Sequence, residues 1–291
     1  MKYLYHLLIT LALLSATQAQ KDKLNIPYAK TEHKLQTLDV FSPADGNNLP
    51  VVVWIHGGGW VVGDKTDVAI KPKTFVEKGF VFVSVNYRML PEVDMGTIIR
   101  DVAKSVRWVH DHIADYGGDP KRLLIMGHSA GAQLAALICT DESYLKAEGL
   151  SLAIIKGCVP VDGDTYDIPL MIEVVEARRS AAGNRVGKPY PKNGHYVKFG
   201  NDPKKHRNFS AVNHVVKGKN IPPFLCLHVA DQVSTSAQAR RLNTTLKDAE
   251  FQSQAFGAPS TTHMKLADNL GLADDPATKV LYEFLEGVLK E

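Results

Sequence analysis

Leu123-Leu124-Ile125-Met126-Gly127-His128-Ser129-Ala130-Gly131 is the stretch on which the reading of this chain turns. Four apolar residues run into G-x-S-x-G, and the Ala-rich segment 130–139 follows directly. A strand that passes straight into a helix makes a turn so tight that glycine is needed at both flanks, where a side chain would strike neighbouring backbone. The turn lifts the Ser129 hydroxyl to the carboxyl edge of a sheet. The N-terminus of the next helix points at it, and backbone N–H groups there favour developing negative charge.

Outward from this turn, short apolar runs alternate with amphipathic stretches. Residues 51–55, 81–85, 123–126, 154–161 and 224–229 are nearly continuous Val, Ile, Leu and Phe, the pattern of strands covered on both faces by helices. Segments 68–78, 98–114 and 130–139 read as the helices between them. In the second, Ile98, Val102, Val106, Val109 and Ile113 recur three and four apart and mark one buried face. The alternation predicts an α/β fold with a parallel sheet. Polar and apolar residues alternate over 34–41, which predicts an antiparallel start, and Asp275-Pro276 opens a final helix running through Leu289.

One region breaks the rhythm. Between Gly163 and Pro223 lie about sixty residues rich in Gly, Pro, Asn and basic side chains, more than a compact domain leaves without structure. Residues 168–179 read as helical, so 163–223 is expected to form a cap or lid inserted above one end of the sheet in a single domain, 20–291. At the N-terminus, Lys2 precedes the apolar stretch 7–14, and Thr17-Gln18-Ala19 offers small residues where a signal peptidase reads. That stretch is too short to stay across a bilayer. Residues 1–19 therefore read as a cleaved signal peptide, the protein as secreted or periplasmic, and the mature chain as having no stable membrane insertion.

Composition removes other classes. With 45% hydrophobic residues and a formal charge of +3 over 291 residues, the chain is neither disordered nor basic enough for a nucleic-acid groove. Three cysteines, Cys139, Cys158 and Cys226, lie in apolar segments without metal spacing or a disulfide framework and read as small core residues, with one Cys158–Cys226 bridge across neighbouring strands as the alternative. His110 and His112, two apart, face different sides of a helix and make a poor metal pair. No metal site is expected. The sequence sets no oligomeric state.

A serine hydroxyl needs a base, and the base an orienting acid. Asp231 follows the run 224–229, and His263 follows the expected strand 253–256, which gives the order Ser129, Asp231, His263. Asp162, Asp164 and Asp167 follow another strand and are the rival acids. His195, His206 and His214 fall in the insertion and read as lid or surface residues. His56-Gly57-Gly58-Gly59-Trp60 follows the strand 51–55, and its glycines leave N–H groups free to hold an oxyanion: Gly58 and Gly59, together with the N–H of Ala130. Trp60 is expected at the mouth of the substrate pocket or in the core.

With HGGG and GHSAG in place, the chain resembles the α/β-hydrolase superfamily, specifically its carboxylesterase-like enzymes, over most of 33–289. Asn86-Tyr87-Arg88-Met89-Leu90-Pro91 is similar to the family's Tyr-Arg-Leu-x-Pro stretch, and Asp115-Tyr116-Gly117-Gly118-Asp119-Pro120 to the segment that leads into the nucleophile strand. The resemblance implies the α/β-hydrolase fold, a mostly parallel central sheet flanked by helices. It also implies an ester or amide hydrolase without a cofactor, and an internal Arg88–Asp101 ion pair. The expected activity is cleavage of small-molecule carboxylic esters through an acyl-serine. Arylformamidase and feruloyl-type esterase are the alternatives on the same apparatus, with Arg178, Arg179 and Arg185 available to a carboxylate or sugar-linked substrate. A non-catalytic binding protein on the same fold is the alternative from another class.

Overall fold

A computed structural model of the chain describes residues 20–181 and 194–290; the expected signal peptide lies outside the described residues. In chain order the elements are β1 (Gln20–Pro27), β2 (Thr37–Pro43), β3 (Leu49–Ile55), α1 (Lys71–Glu77), β4 (Val81–Val85) and α2 (Met95–His112). Then come β5 (Gly118–His128), α3 (Ala130–Thr140), α4 (Glu142–Ala147), β6 (Ile155–Val161), α5 (Ile168–Ala181), α6 (His195–Lys198) and α7 (Pro203–Asn208). The chain closes with β7 (Phe224–Val229), α8 (Val233–Asp248), β8 (Ser253–Ala258), α9 (His263–Asp268) and α10 (Pro276–Lys290).

The strands form one sheet in the order β1-β2-β4-β3-β5-β6-β7-β8. β2 runs antiparallel to both β1 and β4, and every pair from β4 to β8 is parallel. The apolar runs are continuous because both faces are covered. Val51, Val53 and Ile55 pack with Ile98, Val102 and Leu134 on one side, while Val52 and Trp54 pack with Phe75, Leu281 and Leu285 on the other. Each fully buried Val, Leu or Ile contributes about 1.5–3 kcal/mol over its exposed state.

Helix boundaries follow local chemistry. α2 starts three residues before the expected position because Asp94 caps it, its carboxylate accepting from Thr97 N–H at 2.8 Å. α1 starts three residues late, at Lys71, with proline in its first turn. The Arg88–Asp101 pair is bidentate, at 2.7 and 2.8 Å, and Gln36 donates a third bond to Asp101. Asp101 is wholly buried, so these donors replace the water it lost. Cys139, Cys158 and Cys226 are free and buried, and burial pushes the Cys226 thiol up to about 12. They serve as core.

Candidate active site

Parallel strands place their carboxyl ends, and the loops after them, along one edge of the sheet. Ser129 sits between β5 and α3 at φ 56°, ψ −115°, a strained conformation for a residue with a side chain. The flanking glycines make it possible. A Cβ on Gly127 would lie 2.3 Å from Gly131 O, and one on Gly131 would lie 2.1 Å from Ile55 O. Ser129 N–H donates to Val161 O at 2.9 Å, which ties the turn to the end of β6.

The glycine loop after β3 is set by its carbonyls. Gly57 O accepts from His56 Nδ1 at 2.7 Å and from the Tyr87 hydroxyl at 3.4 Å; Gly58 O accepts from Val61 and Val62 N–H at 3.2 and 3.1 Å. In a planar trans peptide the next N–H points opposite the carbonyl. Gly58 and Gly59 N–H are thereby turned away from those partners, and neither has an acceptor among the described residues. Ala130 N–H, at the first position of α3, has no intrahelical acceptor. Gly57, Gly58, Gly59, Ser129, His263 and Met264 line one cavity of about 780 Å³.

His263 is the first residue of α9, with Thr262 as its cap. Its Nδ1 donates to Asp162 Oδ2 at 2.7 Å. Asp162 is wholly buried at the end of β6 with φ 52°; its N–H donates to Leu227 O at 2.8 Å, and its Oδ1 accepts from Val229 N–H at 2.9 Å. Burial alone would raise its pKa, but hydrogen bonds from His263, Thr235 and Val229 outweigh it and hold the carboxyl below the usual carboxylate range. An ionised carboxylate only accepts, so Nδ1 carries the proton and neutral His263 has its lone pair on Nε2.

The expected acid, Asp231, is corrected by this geometry. Register pairs Val161 with Leu227, so Asp162 lies level with His228, inside the sheet edge. Asp231 lies three residues further along, where Gln232 N–H turns back to Val229 O and the chain enters α8. It is exposed and makes no hydrogen bond or ion pair among the described residues. Of the other rivals, Asp167 caps α5 and pairs with Arg241 at 3.1 Å, and Asp164 approaches His195 at 3.7 Å.

Of the two places expected for Trp60, the structure shows the core. It is buried, with φ 62°, and packs edge-on against Phe199 and His195 of the 163–223 region, centroids 4.9 and 5.6 Å away. Arg178 is exposed on α5; Arg185 and the Arg179 side chain lie outside the described residues.

Two further side chains bond to backbone carbonyls of α9, and the sequence reading did not assign them a role. His128 Nε2 donates to His263 O at 3.0 Å, with the rings 4.4 Å apart. Burial first, and the neighbouring His263 second, push His128 down to about 4. Lys71, buried beneath Trp54, donates to Ala267 O at 2.7 Å near the other end of α9; burial lowers it to about 8. The signal for His128 was its place inside G-x-S-x-G. Lys71 offered none, because its partner lies 196 residues away.

This sheet order, with a serine on a strained turn and an Asp–His pair beyond later strands, defines an α/β-hydrolase of the carboxylesterase-like kind. The BD-FAE family matches residues 38–246, and the chain belongs to it. Esterase LipQ of Mycobacterium tuberculosis is 29% identical over 82% of this chain and 56% of its own length. A probable isoprenylcysteine alpha-carbonyl methylesterase of Oryza sativa subsp. japonica is 36% identical over 38% of this chain and 25% of its own length. The chain thus spans about half or less of these relatives. Among solved structures, a truncated carbohydrate esterase from gut microbiota superposes with a TM-score of 0.74 at 22% identity, covering 95% of this chain and 99% of that one. Esterase B from Lactobacillus rhamnosis gives 0.72 at 22% identity, over 93% and 85%.

Proposed function

We propose that the protein is a serine esterase acting on small carboxylic esters through an acyl-serine, with Ser129 as nucleophile, His263 as base and Asp162 as the orienting acid. The observation that carries this reading is the 2.7 Å bond from His263 Nδ1 to a buried, ionised Asp162, in a cavity that His263 shares with Ser129. His263 Nε2 takes the Ser129 proton as the oxygen attacks the ester carbonyl. The carbonyl oxygen becomes an anion held by the N–H groups of Gly58, Gly59 and Ala130. The proton then passes to the leaving alcohol. Water, activated by the same Nε2, releases the acid and regenerates Ser129. Asp162 stabilises the imidazolium in both halves.

Hydrolysis of a chain-length series of p-nitrophenyl esters, with Ser129→Ala in parallel, tests this. The variant is expected to lose roughly a millionfold in kcat. Equal rates in both proteins would end the assignment. Formyl anilides and cinnamate esters in the same panel separate the arylformamidase and feruloyl-type readings, which use the same apparatus. Export with removal of residues 1–19 belongs to the proposal, and N-terminal sequencing of protein recovered outside the cytoplasm checks it.

A further inference from the structure

Cap helix α6 carries a charged group to the edge of this site. Lys198 Nζ lies 3.1 Å from the point where a Cβ on Gly59 would stand, directly over the glycine loop that lines the cavity. Its ammonium is 5.6 Å from the centroid of the Trp60 ring, a cation–π distance. The position is firm, because the adjoining Phe199 is buried and packs against both Trp60 and Phe209.

Lys198 is half-buried, yet its ammonium makes no hydrogen bond and no ion pair within 4 Å among the described residues. The nearby carboxylate, Asp164, is turned to His195 and reaches Lys198 only through its field. Burial lowers the Lys198 pKa, and Asp164 opposes that. A partly desolvated ammonium without a bonded acceptor gains most from an anion brought to it. The carboxylates that line the cavity itself, Asp67 and Asp268, are negative and repel an anion, while Lys198 stands beside it over Gly59, so charge is polarised across the site. One lysine, partly offset by one aspartate, suits a single negative charge better than a phosphate dianion.

We propose that Lys198 is a specificity residue that binds a carboxylate carried by the ester close to the scissile carbonyl, so that the preferred substrates are anionic esters. The inference rests on the serine-esterase reading above. It differs from a role for Lys198 as another oxyanion donor, which would speed charged and neutral esters alike.

The test is a ratio of kcat/KM within matched pairs. One pair places the charge on the alcohol side (para-acetoxybenzoate against para-acetoxybenzamide), the other on the acyl side (monoethyl adipate against its amide). The wild type is expected to favour the carboxylate member of one pair about tenfold, the worth of one charge-assisted hydrogen bond at a half-exposed site. Lys198→Met should collapse that ratio toward one, Lys198→Arg should keep most of it, and rising salt should shrink it in the wild type. No preference in either pair, or a preference that survives in Lys198→Met, overturns the proposal. Hydrolysis that depends on Ser129 but ignores charge would leave the esterase reading standing. Failure of all four substrates, together with no labelling of Ser129 by a fluorophosphonate probe, would overturn that reading itself.

Discussion

Ser129 and Asp162 stand in corresponding places and are held there in different ways. Each follows the last residue of a central parallel strand, and each has a positive φ, 56° and 52°. Around Ser129 the strain is made possible by its own neighbours, Gly127 and Gly131, which leave room for Ile55 and for each other. Around Asp162 it is made possible by the next strand, through Leu227 O and Val229 N–H. The serine's conformation is thus readable in five consecutive residues, although Val161 O and Ile55 O fix where the turn sits. The acid's conformation is a property of strand register.

The largest effect that could break this comparison concerns the acid. Asp162→Asn keeps the shape but loses the charge and the fixed tautomer of His263. It is expected to cut kcat by about four orders of magnitude, whereas Asp231→Asn should change it less than about twofold. Both are read from steady-state ester hydrolysis, with circular dichroism to verify folding. The opposite ranking would return the acid to the end of β7.

The glycine loop belongs to the local half of the comparison, and Gly58→Ala probes it. A Cβ there would lie 1.8 Å from Val62 O at a φ of 107°, so the loop must shift and its N–H groups with it. Loss of oxyanion stabilisation should lower kcat by roughly a hundredfold to a thousandfold with KM changed less. Wild-type turnover in a variant with unchanged Tm would remove the Gly58–Gly59 loop from the mechanism.

The same division explains what could be read from the chain alone. The strands 81–85 and 224–229 and the Ser129 turn were legible because their determinants are contiguous. Asp162 and Asp231 both follow buried strands, and only the pairing of Val161 with Leu227 separates them. Trp60, beside three glycines, reads as either a rim or a core residue, and only Phe199, far along the chain, decides between them by covering it. α8 has no clear helical signature in the sequence because its buried stripe, Thr235, Ala239, Leu242 and Leu246, is diluted by Thr, Gln and Arg. β1 is a polar edge strand, almost wholly exposed, and shows no apolar period. What sequence hides is what tertiary contact decides.

His128 joins the two halves, and the smallest predicted effect tests that link. It belongs to the local motif, but its ring donates to the carbonyl of His263. Held neutral by burial, it adds no repulsion when His263 becomes an imidazolium. An unfolded histidine binds its proton near pH 6.5, and the folded His128 only near 4. Between those values the unfolded chain holds more protons, so this contribution to stability is complete above about pH 6.5 and is lost as pH falls toward 4. Its size is at most about 3 kcal/mol. His56 and His195, also lowered chiefly by burial, add slopes of the same sign. The informative quantity is therefore the difference between wild type and His128→Gln in unfolding free energy from pH 7 to 4. The wild type should fall more steeply, because glutamine can still donate to the carbonyl but has no proton to gain. Parallel curves would mean that His128 titrates normally, and the Ser129 turn and His263 would then be linked by packing alone.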